Sequence, residues 1–263
     1  MNPVTKVLKR WTDIHKHVRD GWAFRGQECA DYRLATALER LQDRIGVQFN
    51  RASDLESVLL REFRRRYHHY SPHPPMSDHD LEWLSIMQHH GAPTRLLDWT
   101  YSIYVAGYFA LESAQGDSAI WALDYEWIRA QARKMLKDRD PTATYTTPER
   151  ATEADMPMFR NVFMTPPFKG MVAAINPFRL TERLTIQKGF FLCPGDISIP
   201  FEENLTQMKG WREHVVKVVV RKSARREGLR SLFQMNTDRS TLFPGLDGFA
   251  RSLSVFHPLV DQL

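Results

Sequence analysis

Residues 85–110 read SIMQHHGAPTRLLDWTYSIYVAGYFA. A helical run from about residue 78 to 89 ends at Gln88, His89 and His90, and Gly91 suits the left-handed stop that closes a helix. A short extended piece is predicted at 94–97. An apolar helix then runs over 101–114 and ends at Gly116. The polar side chains Gln88, His89, His90, Thr94, Arg95, Asp98 and Thr100 sit between hydrophobic runs, a density that reads as the wall of a site.

Working outward, WAFRG at 22–26 is predicted as a short strand. The helix predicted at 53–70 opens on a capping box of Ser53 and Glu56. Leu55, Leu59, Phe63, Tyr67 and Tyr70 follow at helical spacing. SPHPPMSD at 71–78 breaks it, because proline removes a donor and fixes the backbone. Residues 5–19 read as an N-terminal helix with Val7, Trp11, Ile14 and Val18 on one face. Strands are expected at 119–123, 189–193 and 214–220, the last, HVVKVVV, being rich in β-branched residues. Helices are expected at 126–139, 223–235 and 244–253. Residues 140–170 carry five prolines and read as an irregular insertion or lid. Helices early and strands late argue for α+β rather than regular βαβ alternation. The expected architecture is one α+β domain over 1–263.

The chain has 263 residues, 43% hydrophobic and 25% charged, the composition of a globular protein. Its net charge of +5 favours anionic partners mildly. Two cysteines, Cys29 and Cys193, make neither a disulfide framework nor a zinc pattern. Residues 1–20 carry basic side chains without an unbroken apolar run, so no export signal, no membrane association and a cytoplasmic location are expected. No Rossmann or Walker glycine pattern occurs.

Arg25, beside Gly26, can clamp a phosphate or carboxylate through paired donors, and Gly26 lets a ligand approach the backbone. The plainer alternative is an internal ion pair with Asp98 or Asp247. His89 and His90 either cap a helix dipole or donate to a ligand. No metal is expected, because no carboxylate stands at ligand spacing from the histidines. Arg95 and Asp98 are costly to bury unless paired, and Asp98 or Thr100 can equally cap the next helix. The arginines at 64–66 read as a solvated face, with a phosphate-tracking surface as the functional alternative.

Five motifs stand in order: FRGQ at 24–27, QHHGAPTRLLDWT at 88–100, YFAL at 108–111, Gln187-x-Gly189-Phe190-Phe191, and LFPGLDGFARSL at 242–253. Together they resemble the FRG domain family, which is itself similar to divergent ADP-ribosyltransferases. The resemblance implies an ADP-ribosyltransferase-like fold, a split, bent mixed sheet with flanking helices, and an NAD-dependent transferase or NAD glycohydrolase-like effector, of the toxin or phage-defence kind. NAD is then the substrate, and ADP-ribose passes to a macromolecular acceptor or to water. A non-catalytic module for nucleotides or nucleic acid is the alternative. It also implies roles: Arg25 and Gly26 on the pyrophosphate, Gln88 with His89 or His90 on ribose or nicotinamide, Thr94, Arg95 or Thr100 bracing the pocket. Gln187 and Asp98 would polarise the ribose. An antitoxin or defence partner protein would accompany such an effector. The departure is at 187–189, where Gln-Lys-Gly replaces the expected strand glutamate.

Overall fold

The computed structural model describes residues 1–139 and 146–255. Seven strands form one mixed sheet: β1 (Val4–Leu8), β2 (Trp22–Gln27), β3 (Leu97–Thr100), β4 (Ser118–Asp124), β5 (Val172–Ile175), β6 (Gly189–Pro194) and β7 (Val215–Val220). Their order is β1-β7-β4-β2-β3-β6-β5. Only β1 and β7 run parallel; the other neighbours are antiparallel. The chain is α+β, a mixed sheet with flanking helices.

Alternation along the strands builds two cores. On β4, Ile120 and Ala122 join one cluster while Trp121 and Leu123 join the other. A strand covered on both faces must be apolar throughout, which is why SAIWAL lacks the half-polar pattern of an exposed sheet. The helices Ile103–Leu111 and Arg225–Gln234 cover the face that carries Phe24 and Val218. The opposite face packs on the helix Asp80–His89 through Trp83, Leu84 and Met87.

Several expectations need correction. The N-terminal stretch is β1 followed by a 3-10 turn at Trp11–His17, not one helix. Val4, Val7 and Leu8 pair in parallel with the β-branched β7. Trp11 and Ile14, three apart, are buried at the spacing of a 3-10 turn. Glu227, from a distant helix, accepts the Trp11 and Thr12 amides at 3.0 and 3.2 Å. The Ser53–Glu56 capping box does not form, because the helix begins at Ala52 and Glu56 is buried inside it. The helix Ile103–Leu111 is capped by Ser102, whose hydroxyl accepts the Val105 amide at 3.4 Å, not by Asp98 or Thr100. A further helix, Ala37–Ile45, is capped by Thr36 and closed by Gly46.

Of the expected 140–170 insertion, residues 140–145 lie outside the described residues. The remainder is largely irregular but anchored. Glu149 accepts from Tyr101 and Tyr125 hydroxyls at 2.6 and 2.5 Å. Arg160 makes a two-pronged contact with buried Asp80 at 2.6 and 2.9 Å. Burial pushes the Glu149 carboxyl upward, but the two tyrosine hydrogen bonds outweigh it and leave its pKa below the ordinary value.

Candidate active site

The sheet is weakest between β2 and β3. Phe24 faces Thr100, and no further pair joins these strands. Continued, the ladder would set Gly26 opposite Asp98. Instead the strands part, and Arg25 Nη1 donates to the Asp98 carbonyl oxygen at 2.7 Å. A side chain thus bridges the split in the sheet. A cleft of about 620 Å³ opens there, the size of small-molecule sites.

Gly26 serves the packing on one side of this cleft. A Cβ at residue 26 would lie 2.0 Å from the Ala106 carbonyl oxygen, so glycine admits the helix Ile103–Leu111 against β2. The close approach predicted for a ligand is made by a helix, although the Gly26 backbone still borders the cleft.

Arg25 is incompletely satisfied. Its Nε is enclosed and has no hydrogen-bond partner among the described residues. Burial lowers its pKa to about 10, partly countered by the Asp98 carboxylate and reinforced by Arg40. It therefore stays cationic at neutral pH. The internal ion pair considered for Arg25 is absent among the described residues, since its contact is to a backbone oxygen.

Asp98 is set by a chain of hydrogen bonds. Thr94 Oγ1 donates to Gln88 Oε1 at 2.6 Å, and Gln88 Nε2 donates to Asp98 Oδ2 at 2.8 Å. Leu96 N donates to Thr94 Oγ1 at 3.2 Å, fixing the hydroxyl. A neutral donor held in place fixes the direction of the Asp98 carboxylate. Gln88 and Thr94 therefore act through Asp98, which borders the cleft while they do not.

Thr100 and Gln187 meet at the cleft's far wall. Thr100 Oγ1 donates to the Gln187 carbonyl oxygen at 2.7 Å, and Gln187 Nε2 donates to the Leu242 carbonyl oxygen at 3.0 Å. Gln187 ends the helix Glu182–Ile186 rather than opening β6. Its amide nitrogen ties the LFPG segment to the cleft.

Three predicted site residues fall elsewhere. Arg95 is buried in the core, where its Nε donates to both Glu56 oxygens at 2.8 and 2.9 Å and its Nη1 to the Phe163 carbonyl. Its pairing leaves it no free edge for a ligand. His90 is exposed and only ends its helix. His89 borders a small adjoining pocket with Ser85 and Gln88, which shares Asp98, Arg183 and Gln187 with the main cleft but does not open His89 into it. Burial first, then Arg183 and His90, hold the His89 pKa below its ordinary value, so it is neutral at physiological pH.

The structure adds residues that sequence reasoning did not single out. Arg33, Arg40 and Arg183 line the cleft with Arg25, alongside Tyr32 and Phe109. Arg40 Nη1 holds the Ala35 carbonyl at 2.6 Å, and Arg183 lies 5.4 Å from the Phe243 ring centre. The acidic wall is Glu28, Asp98 and Glu112, with Glu112 taken by Arg239. The signal for Arg33 and Arg40 was the Thr36-x-x-Glu39 start of a helix, which places both near β2. Among the described residues no three His, Cys, Asp or Glu side chains converge as metal ligands, and no helix is long and apolar enough to cross a membrane.

Residues 20–119 match the model of the FRG domain. That span holds β2, β3 and the network linking Arg25, Gln88, Thr94 and Asp98. No curated protein matches the chain, and no solved structure does.

Proposed function

Since the chain carries an FRG domain at residues 20–119, we propose that it is an NAD-using effector, an ADP-ribosyltransferase or NAD glycohydrolase in the manner of a toxin or defence component. One observation carries this reading. Arg25 on β2, Thr100 on β3 and Gln187 beside β6 border a single cleft. Those three elements are the ones the resemblance to ADP-ribosyltransferases calls for, and β2, β3 and β6 are neighbours in the sheet.

The residues divide the work as follows. Arg25, with Arg40 and Arg183 beside it, supplies fixed positive charge for a pyrophosphate. The bond between ribose C1′ and the nicotinamide nitrogen breaks, and its electron pair leaves with neutral nicotinamide. Positive charge grows on the ribose, and the acceptor oxygen or nitrogen, or water, then bonds to C1′ and loses a proton. A carboxylate fixed beforehand favours that growing charge without reorganising. Asp98, held by Gln88, is the group in the cleft suited to this, in place of a strand glutamate. Thr100 and Gln187 shape the wall.

A second reading has its own support. Gln187 stands where an acid is expected, and its amide is committed to Leu242. A domain that binds nucleotides without cleaving them fits that substitution. The test is nicotinamide release from NAD by the purified protein and by Arg25→Ala and Asp98→Asn. Turnover lost in both variants supports the enzyme. Saturable NAD binding that needs Arg25, without turnover, favours the binding module. Neither turnover nor binding overturns both.

A further inference from the structure

A second cationic site lies outside the cleft. Ser57, Arg61, Arg64 and Arg65 from the helix Ala52–Tyr67 and Arg160 from the irregular segment line a groove of about 400 Å³. It shares no residue with the Arg25 cleft. We propose that this groove binds the phosphate backbone of duplex nucleic acid.

The charge balance and the geometry both point there. Asp80 is fully buried and receives two guanidiniums, from Arg64 at 2.5 Å and from Arg160. Its charge is consumed, while both arginines are locked in direction. Arg64 also lies 5.2 Å from the Trp83 ring centre. Glu62 is drawn to Arg66 at 2.5 Å, leaving its other oxygen 3.4 and 3.3 Å from Arg61 and Arg65. Those two side chains are 65% and 68% exposed. Asp78 contributes to the field at Arg160. The four groove guanidiniums, with Arg66 beside them on Glu62, stand against three carboxylates, Glu62, Asp78 and Asp80, and a net positive charge remains.

Positions 57, 61, 64 and 65 lie on one helical face. From 57 to 65 the helix rises about 12 Å, enough for about two or three successive phosphates. Guanidinium forks match phosphate oxygens in pairs. The groove contains no aromatic ring on which an unpaired base would stack. The arrangement therefore favours a sequence-independent duplex backbone over a single strand. It does not depend on the NAD reading, though in that reading it would hold a nucleic-acid acceptor or its carrier.

The experiment is fluorescence anisotropy of a labelled 20-base-pair DNA duplex (a probe of about that length) with the full chain. Arg61→Glu/Arg65→Glu is the test variant, because neither exposed arginine holds a buried acid, and its melting temperature checks its folding. Arg25→Ala serves as the cleft control. Expected are saturable binding, about fortyfold weakening between about 50 and 200 mM salt for about three phosphate contacts, and at least about tenfold loss in the double variant. Arg25→Ala should leave duplex binding unchanged. Absent binding, binding indifferent to the double variant, or displacement of the duplex by polyglutamate at equal charge would each overturn the assignment; the last would mark a surface for acidic protein.

Discussion

Arg25 and Arg95 are both enclosed arginines on motif segments, and they differ in what encloses them. Arg95 has a carboxylate and a carbonyl for its guanidinium: Glu56 faces it on two nitrogens and Phe163 on a third. Burial pushes its pKa down, yet the Glu56 charge and hydrogen bonds more than offset this, and it ends above the ordinary value. Arg25 has one backbone oxygen and an Nε without a partner among the described residues, and burial dominates. A complete pair builds a core. An incomplete one beside a cleft keeps a donor that the fold itself does not use, as the Nε atoms of Arg64, Arg129 and Arg239 also do, and only Arg25 among these lies against the main cleft.

The largest effect should come from breaking the complete pair. Arg95→Ala strands the Glu56 carboxylate inside the core, and urea denaturation should show a loss of about 3–5 kcal/mol. Replacing both members, Glu56→Leu with Arg95→Met, should recover most of that loss, because hydrophobic residues of similar volume remove the uncompensated charge. If the double variant is as unstable as the single one, Arg95 serves by something other than its pairing.

Arg25→Ala should do the opposite. Unfolding stability should shift by less than about 1 kcal/mol, since one hydrogen bond to a carbonyl is lost and an unpartnered donor goes with it. Nucleotide affinity should fall by about a hundredfold, the worth of about two charge-assisted hydrogen bonds. Isothermal titration with NAD reads the second quantity. A stability loss matching that of Arg95→Ala would place Arg25 among the structural arginines and remove it from the site.

In sequence these two arginines were hard to tell apart. Both adjoin glycine or threonine, both stand in motifs, and both read as clamp or ion pair. The discriminating partners are far along the chain. Glu56 reads as a helix cap locally, and Phe163 lies in a segment without periodic signal. The strands are legible where the run is apolar throughout, as in AIWAL, or dense in β-branched residues, as in VVKVVV. β1 is not, because Val7, Trp11, Ile14 and Val18 mimic a helical face that only the β7 partner resolves. The cleft itself was half legible. Arg25, Asp98, Thr100 and Gln187 were named from the motifs, but Arg33, Arg40 and Arg183 come together only through the ends of two short helices.

A smaller effect tests the support of Asp98. Gln88→Leu removes both the donor to Asp98 and the acceptor for Thr94. Stability should drop by about 1–3 kcal/mol for the polar groups left unpaired. Nucleotide turnover, if present, should fall through kcat rather than KM, because the carboxylate loses its direction and not its charge. Gln88→Glu sharpens the point: it replaces the donor with a second carboxylate that repels Asp98 and should lower kcat further than Gln88→Leu does. Wild-type kcat in both variants would free Asp98 from the chemistry.

The smallest effect lies at His89, where the cleft and the core touch. Its pKa is depressed by burial and then by Arg183, which also lines the cleft. The folded state thus prefers neutral His89 more than the unfolded chain does. That preference contributes stability above the ordinary value of 6.5, and the contribution is lost as pH falls below it through the lower folded value. Wild type should lose stability between about pH 7 and 5 more steeply than His89→Gln, by a modest margin for a partly exposed ring. Ligand reverses the sign. An anion on Arg183 cancels the positive field at His89, so its pKa should rise when NAD binds, as followed by its ring proton shifts. If the pKa stays put while NAD binds through Arg25, the pyrophosphate does not reach Arg183, and the cationic end of the cleft is shorter than its lining implies.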